Sequence, residues 1–417
     1  MPGLLLLMNS ISIHFIFVAL LAFIHFTASA VKKDSTNGDK TLKRQSLSVF
    51  YQFGKVLPSN EFVKGDNSTG EPIDRYQSFA IQYAIESDGR QLWQQLYNYP
   101  TWGFGLYTFD LFNSNELGNP GALYWFFSAP FVRFKKWSIN YSIGSGISFN
   151  WKPYDINENP YNNAIGSRRT GFVDAGIYFN FQLGKHFDLT TGATLNHFSN
   201  GAGKVPNLGI NMADARISLK YIFRGRPGFI KRKVVPKYKK EWEYLMLFTY
   251  SHKQMAFDTL GADNTSGFIS QDYNIYNFSI GVNRQLYYKL KLGVGLDFGY
   301  DGAYNSFITV ENQQIEPQNG EGSKLSIGIY PSLEWVIHRL SVIVQPGWYI
   351  YRANPSIPEP TDENNVVAPR RTPSSSYQRI GFKYHIINNI FIGFNVRAYD
   401  FSVADYFEWN IGYRIIH

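Results

Sequence analysis

The sequence predicts an all-β, antiparallel transmembrane β-barrel, and three observations carry that prediction. Apolar content is high but dispersed: 44% hydrophobic residues, with 29 Tyr, 34 Phe and 9 Trp, and only 17% charged residues. Beyond the N-terminus no apolar run is long enough to cross a bilayer as a helix. Short segments alternate in hydropathy with period two, and the links between them alternate between long and short.

Residues 1–30 read as a secretory signal, with a short apolar core from Phe15 to Phe26 and a small-residue site at Ala28-Ser29-Ala30. Export places the chain away from nucleic acid despite a net charge of +8. There is no cysteine, which excludes disulfides, a thiol nucleophile and thiolate metal sites.

Trp137 to Trp151 shows the alternation. Trp137, Ile139, Tyr141, Ile143, Ser145, Ile147, Phe149 and Trp151 share one face, and Ser138, Asn140, Ser142, Gly144, Gly146, Ser148 and Asn150 share the other. An apolar face with aromatic ends over a small polar face is the pattern of a strand between lipid and a barrel lumen. About 16 such segments can be counted, starting near Leu47, Gln77, Trp102, Ala122, Trp137, Thr170, His186, Ile210, Glu241, Asp272, Lys289, Lys324, Arg339, Tyr377, Ile390 and Asp405.

Long polar links follow most odd segments, and tight turns such as "FKKW", "LGKH", "VIHR" and "HIINN" follow most even ones. This is the asymmetry of external loops and periplasmic turns. The even links 86–101 and 224–240 depart from it. The expected organisation after the signal is therefore a barrel over 31–417, comprising strands from about 45 to 224, a basic linker at 225–240 and further strands at 241–417. One large barrel is the favoured closure because the rhythm continues across the linker, with two eight-stranded halves as the alternative. The last segment puts Phe407, Trp409, Ile411, Tyr413 and Ile415 on one face.

The run 224–240 has eight basic and no acidic residues. It reads as a solvated linker more readily than as a contact for anionic headgroups. "GVGLDFG" at 293–299 has the wrong spacing for a nucleotide loop and reads as small lumenal residues. His252, His338 and His385 form no metal-binding pair and are assigned to girdles or turns. Asp188, Asp214, Arg216 and Lys220 are expected to form a lumenal charge network.

The stretch "LNHFSNGAGKVPNLGIN", 195–211, is of another kind. Parity puts His197 and Ser199 on the lipid face of the seventh segment, and Asn211 on the lipid face of the eighth. Polar groups facing hydrocarbon are costly and tend to be functional. Residues two apart on a strand have Cα atoms roughly 6.5–7 Å apart, within reach of an imidazole leaning along the strand. Ser199 as nucleophile, His197 as general base and Asn211 as orienter would form an acyl-transfer triad. Asn200, Gly201 and Asn207 would supply N–H donors for the oxyanion.

"HFSNGAGKVPNLGIN" resembles the active-site segment of the outer-membrane lipid A 3-O-deacylases, or acyloxyacyl hydrolases. His197, Ser199, Asn200, Pro206, Asn207 and Gly209 match that family's pattern, while its Glu falls at Asn211. The stretch is also similar to outer-membrane phospholipase A, through His197, Ser199, Asn200, Gly201 and an Asn at the spacing of Asn211. The Arg and Ser that help that enzyme hold calcium fall at Ala202 and Asn207, so no metal and no cofactor are expected. The resemblance tightly covers about 15 residues. It implies a bacterial outer-membrane esterase acting on lipid A of lipopolysaccharide with water as co-substrate. The alternatives are a phospholipase A-type hydrolase and a non-catalytic structural or channel barrel. Association as a homodimer stays open.

Overall fold

In the computed structural model, residues 44–417 are described apart from 231–233, 261–265, 312–313, 321, 355–364, 368–373 and 401–402. The signal expected at 1–30 lies outside the described residues. The first eight strands are β1 (Arg44–Val56), β2 (Arg75–Glu86), β3 (Thr101–Asp110), β4 (Gly118–Arg133), β5 (Trp137–Trp151), β6 (Arg169–Gln182), β7 (Phe187–Ser199) and β8 (Ile210–Ile222). Each pairs antiparallel with the next, and β8 returns to β1 with Ser48 opposite Lys220 and Gln52 opposite Arg216.

A second closed barrel of eight strands follows: β9 (Glu241–Leu260), β10 (Ser266–Tyr287), β11 (Leu290–Asp301), β14 (Leu325–Ile337), β15 (Leu340–Arg352), β17 (Ser376–His385), β18 (Ile390–Tyr399) and β19 (Val403–Ile416). Its last strand closes on β9, with Ile411 opposite Phe248. The remaining strands, β12 (Ser306–Glu311), β13 (Gln314–Asn319) and β16 (Asn365–Val367), form a small sheet inside two of the long links.

The strand count matches the expectation, but the single large barrel does not form. The cause lies in parity. A barrel with an even number of strands begins and ends on the same side, so the long-short rhythm passes unbroken from one barrel into the next. Loop lengths therefore cannot distinguish one closure from two.

Eight strands enclose a lumen that side chains can largely fill. Side chains crowd both lumens, and a cavity of about 540 Å³ remains at the short-turn end of the first, beside Glu86, Asp188 and Lys220. In the first, Phe50, Tyr107, Tyr124, Phe172 and Phe198 are buried together. Arg216 pairs with Asp174 at 3.2 Å, and Lys220 bridges Glu86 and Asp188 at 3.1 and 3.3 Å. Asp214 instead accepts from Gln52 Nε2, Tyr76 Oη and Asn196 Nδ2. In the second, Glu408 accepts from Arg379 Nε at 2.6 Å and Arg397 Nη1 at 3.3 Å, and Asp297 accepts from Arg379 Nη2 at 2.9 Å. Gly295 faces this lumen where a Cβ would lie 2.4 Å from the Tyr330 hydroxyl, so the "GVGLDFG" run makes room for that ring.

Glu408 is fully buried between two guanidinium groups. Removing one partner of a buried ion pair leaves an uncompensated charge, at a cost of about 3–5 kcal/mol. Glu408→Leu is accordingly expected to lower the urea midpoint of the micelle-refolded protein. An unchanged midpoint would show that the network contributes nothing.

Two local readings are corrected. Trp151 is not on the outward face of β5: Asn150 adopts φ 67°, and Trp151 turns inward, 2% exposed, with its indole N–H on Ser148 Oγ at 2.8 Å. His385 is buried at the inner end of β17 beside Phe391, rather than in a girdle or turn. His252 faces outward beside Asp272, and His338 lies in the turn before β15, stacked on Trp93. The basic linker is tied down near its start. Arg226 donates to Gly184 O, Phe187 O and Asp188, and Phe229 stacks on Tyr99.

The barrels touch along a seam. At the short-turn end, the Tyr97 hydroxyl donates to Val336 O at 2.6 Å, just after the short helix Leu92–Leu96. Further up the wall, Tyr141 meets Trp335 and Trp125 meets Phe382, with ring centroids 5.6 and 5.0 Å apart. The half-burial of Tyr141 and Ile143, on a face expected to meet lipid, follows from this contact.

Candidate active site

The site forms on the outer wall of the first barrel, where β7 enters the loop 200–209. Along β7, Asp188, Thr194, Asn196 and Phe198 are buried in the lumen, while Phe187, Thr191, Ala193, Leu195 and His197 are exposed on the outer wall. Phe198 anchors this end of the strand from inside, its ring 5.0 Å from Phe172 and 4.7 Å from Phe109. The inward anchor fixes which way its two neighbours point.

Strand register puts His197 opposite Asn211 on β8 and opposite Val173 on β6, with Ser199 opposite Gly171. His197 Nδ1 lies 2.7 Å from Asn211 Oδ1. A carboxamide oxygen can only accept, so Nδ1 carries the proton and Nε2 is left with its lone pair. Asn211 is held in turn through its backbone, whose carbonyl accepts from Leu57 N at 2.8 Å.

Ser199 shares the outward parity of His197 but is only 7% exposed, because the loop 200–209 folds over it. Its Oγ accepts from Gly201 N at 3.1 Å and from Asn207 Nδ2 at 2.8 Å. Asn207 Oδ1 accepts from Asn200 N at 3.0 Å, so one amide ties both ends of the loop together. Asn200 uses its own side chain on Lys204 O and Ser167 Oγ. Of the three expected oxyanion donors, Gly201 and Asn207 therefore point at the serine, and Asn200 organises the loop.

Gly209 sits between the imidazole and the serine at φ +73°. A Cβ there would stand 3.2 Å from His197 Cε1, 3.6 Å from Ser199 Cβ and 2.9 Å from Phe198 O. A side chain at 209 would thus intrude on the site as well as strain the backbone.

The long link 152–168 supports the loop from outside. Gly209 N donates to Ala164 O at 3.0 Å and Leu208 N to Asn163 O at 3.2 Å, while Asn60 Nδ2 caps Gly209 O at 2.8 Å. Earlier in that link, Asp155 accepts from Glu158 N and Asn157 N, which hold its carboxyl below the usual carboxylate range. Below the site runs an open groove of about 390 Å³, lined by Leu57, Pro58, Val173, Ala175, Leu195 and Met212, with His197 and Asn211 on its wall.

Sequence reading missed two residues of the second barrel that reach the loop. Gln254 on β9 donates its backbone N–H to Ala202 O at 2.9 Å and accepts from Val205 N through Oε1 at 3.0 Å. Phe407 on β19 packs against Gly171 and Gly201, where Cβ atoms would lie 3.2 and 2.5 Å from its ring. The outward parity of Phe407 was legible, but nothing local in the sequence says that its face meets another barrel.

Family models match most of the described chain. A family model described as lipid A 3-O-deacylase (PagL) matches residues 77–220, and one described as acyloxyacyl hydrolase, C-terminal domain, matches residues 242–417. Together they take in the site strands and the second barrel. No curated protein matches the sequence.

Solved structures similar in part are outer-membrane barrels. The transport unit of the autotransporter AIDA-I from Escherichia coli is 10% identical, covering 92% of this chain and 91% of that one at a TM-score of 0.19. The siderophore receptor PirA from Pseudomonas aeruginosa is 8% identical, covering 90% and 81% at a TM-score of 0.21. The toluene transporter TodX of Pseudomonas putida is 9% identical, covering 90% and 89% at a TM-score of 0.17. Scores this low carry no functional weight. The chain belongs to the lipid A 3-O-deacylase (acyloxyacyl hydrolase) family of the bacterial outer membrane.

Proposed function

We propose that the protein is a serine esterase of the outer membrane that removes one acyl chain from lipid A, with Ser199 as nucleophile. The observation that carries this reading is the His197–Asn211 contact at 2.7 Å on the lipid-facing wall, one strand position pair below a serine whose Oγ is already gripped by two N–H donors. A polar cluster on an outward face expected to meet lipid is costly, and it needs a reason to be there.

The chemistry follows from the atoms. Ser199 Oγ attacks the ester carbonyl of an acyl chain lying in the apolar groove, and its proton passes to His197 Nε2. The carbonyl oxygen gains the negative charge, and Gly201 N–H and Asn207 Nδ2–H are the donors near enough to bind it. Collapse breaks the bond to the sugar oxygen, which leaves with the proton from His197. Water, deprotonated by the same nitrogen, then hydrolyses the acyl-serine and releases the fatty acid. Site and groove lie at the long-loop end of the wall, the external end by the barrel rule, so the substrate would approach from the outer leaflet.

The carboxamide at 211 is the feature that favours a phospholipase A-type activity as second reading. Passive conduction is disfavoured, since buried rings and ion pairs occupy both lumens. Mass spectra of lipid A and phospholipids from cells with and without the protein decide. Lipid A lighter by one hydroxyacyl chain is the expected result. Lysophospholipid with intact lipid A would transfer the activity to the second reading, and identical spectra would overturn both.

A further inference from the structure

We infer that the second barrel completes the hydrolytic site, with Gln254 and Phe407 acting as positioning residues for the loop that carries the oxyanion donors. This rests on the reading of Ser199 as nucleophile.

Within the first barrel the ends of the loop 200–209 are anchored by the Asn207–Asn200 clasp, the Asn200–Ser167 bond, the link at 163–164 and Asn60 on Gly209 O. The Asn200 side chain also ties Lys204 back to the start of the loop. The stretch Ala202 to Val205 is bonded in addition to the second barrel. Gln254 takes both a carbonyl, Ala202 O, and an N–H, Val205 N, with its own backbone N–H and side-chain oxygen. The Gln254 amide is oriented in turn, because Nε2 donates to Asp272 Oδ1 on the neighbouring strand at 3.2 Å. A primary amide whose two ends are both engaged cannot flip without losing one bond.

Phe407 acts on the other side. Gly201, whose N–H points at Ser199 Oγ, adopts φ +59° with the ring pressed against its Cα, and Gly171, register partner of Ser199, lies against the same ring. The ring is itself steadied by Phe394, 5.0 Å away between centroids. Gly201 is thus clamped between its bond to Ser199 and an aromatic wall supplied by the other barrel. Donor placement within fractions of an ångström governs how well a developing oxyanion is bound, and a misplacement of about 1 Å can cost roughly 100-fold in rate.

These contacts lie at the outer end of the seam. The Trp125–Phe382 contact lies further down the wall and touches neither the loop nor the site. Loop positioning and barrel docking are therefore separable.

The test measures kcat and KM of the full chain in micelles on a p-nitrophenyl acyl ester. Gln254→Leu and Phe407→Ala are each expected to lower kcat about 10- to 100-fold with little change in KM. Phe382→Ala is expected to keep wild-type kcat. Gln254→Glu combined with Asp272→Asn keeps the acceptor for Val205 N and reverses the supporting bond, so it is expected to recover most of the rate lost in Gln254→Leu. Folding is checked by migration of the unheated protein on gels. Wild-type kcat in folded Gln254→Leu and Phe407→Ala, with Ser199→Ala inactive, would overturn this inference alone. Equal losses in Phe382→Ala would overturn it in favour of general docking. Activity surviving in Ser199→Ala would overturn the nucleophile and this inference with it.

Discussion

Ser199→Ala is expected to abolish lipid A deacylation while leaving the barrel folded. The hydroxyl is the only group removed, and in the proposed mechanism its oxygen is the atom that would form the acyl bond. Loss of the nucleophile in triad hydrolases costs roughly 10⁴- to 10⁶-fold in turnover, because what remains is only donor-assisted attack by water. The effect on stability is far smaller. Gly201 N and Asn207 Nδ2 lose their shared acceptor, at about 1 kcal/mol per net hydrogen bond. Asn207 keeps its bond from Asn200 N, and β7 keeps both ladders. Cells expressing the variant should therefore show the same amount of heat-modifiable protein as wild type, with lipid A of unaltered mass. A variant that trims lipid A as wild type does would remove Ser199 from the chemistry and leave the family's activity to other residues of this chain.

The barrel strands were legible because each is a local, period-two event. All sixteen begin within a few residues of where alternation begins, β10 being the furthest off. The lipid-side parity of His197 and Asn211 was legible for the same reason. Closure was not, since pairing of β8 with β1 joins residues about 170 positions apart, and even strand numbers hide the break. Trp151 was misplaced because a single left-handed residue, Asn150, reverses the alternation without a glycine to announce it. The burial of Ser199 and the roles of Gln254 and Phe407 depend on how a loop and a second barrel fold back over a strand end. The glycines at 171, 201 and 209 were the available signal: at 201 and 209 a side chain would both clash and strain the backbone, and at 171 it would be tight against Phe407.

Asn211 marks the site's departure from the family pattern, and substitutions there should move the rate in opposite directions. Asn211→Leu is expected to lower kcat by roughly 10³- to 10⁴-fold. In a triad the orienter fixes the tautomer, and a base presenting the wrong nitrogen accounts for most of the ~10⁴-fold loss seen when its carboxylate becomes an amide. Here the amide does not bring that loss, because its oxygen faces Nδ1 at 2.7 Å and the tautomer is already correct. What Asn211 lacks is charge. A neutral carboxamide binds Nδ1–H, yet gains little when His197 becomes imidazolium in the transition state, whereas a carboxylate gains a charge-assisted bond. Asn211→Asp keeps the side-chain length and is expected to raise kcat about tenfold, equivalent to about 1.4 kcal/mol of transition-state stabilisation. The gain is smaller than the tautomer loss because an anion beside acyl chains is itself costly to desolvate. Steady-state kinetics on one ester substrate in micelles, with the three proteins side by side, separate the two contributions. Equal rates in Asn211→Leu and wild type would show that His197 is oriented by something other than Asn211. A loss in Asn211→Asp as large as in Asn211→Leu would show that the site is tuned to a neutral partner.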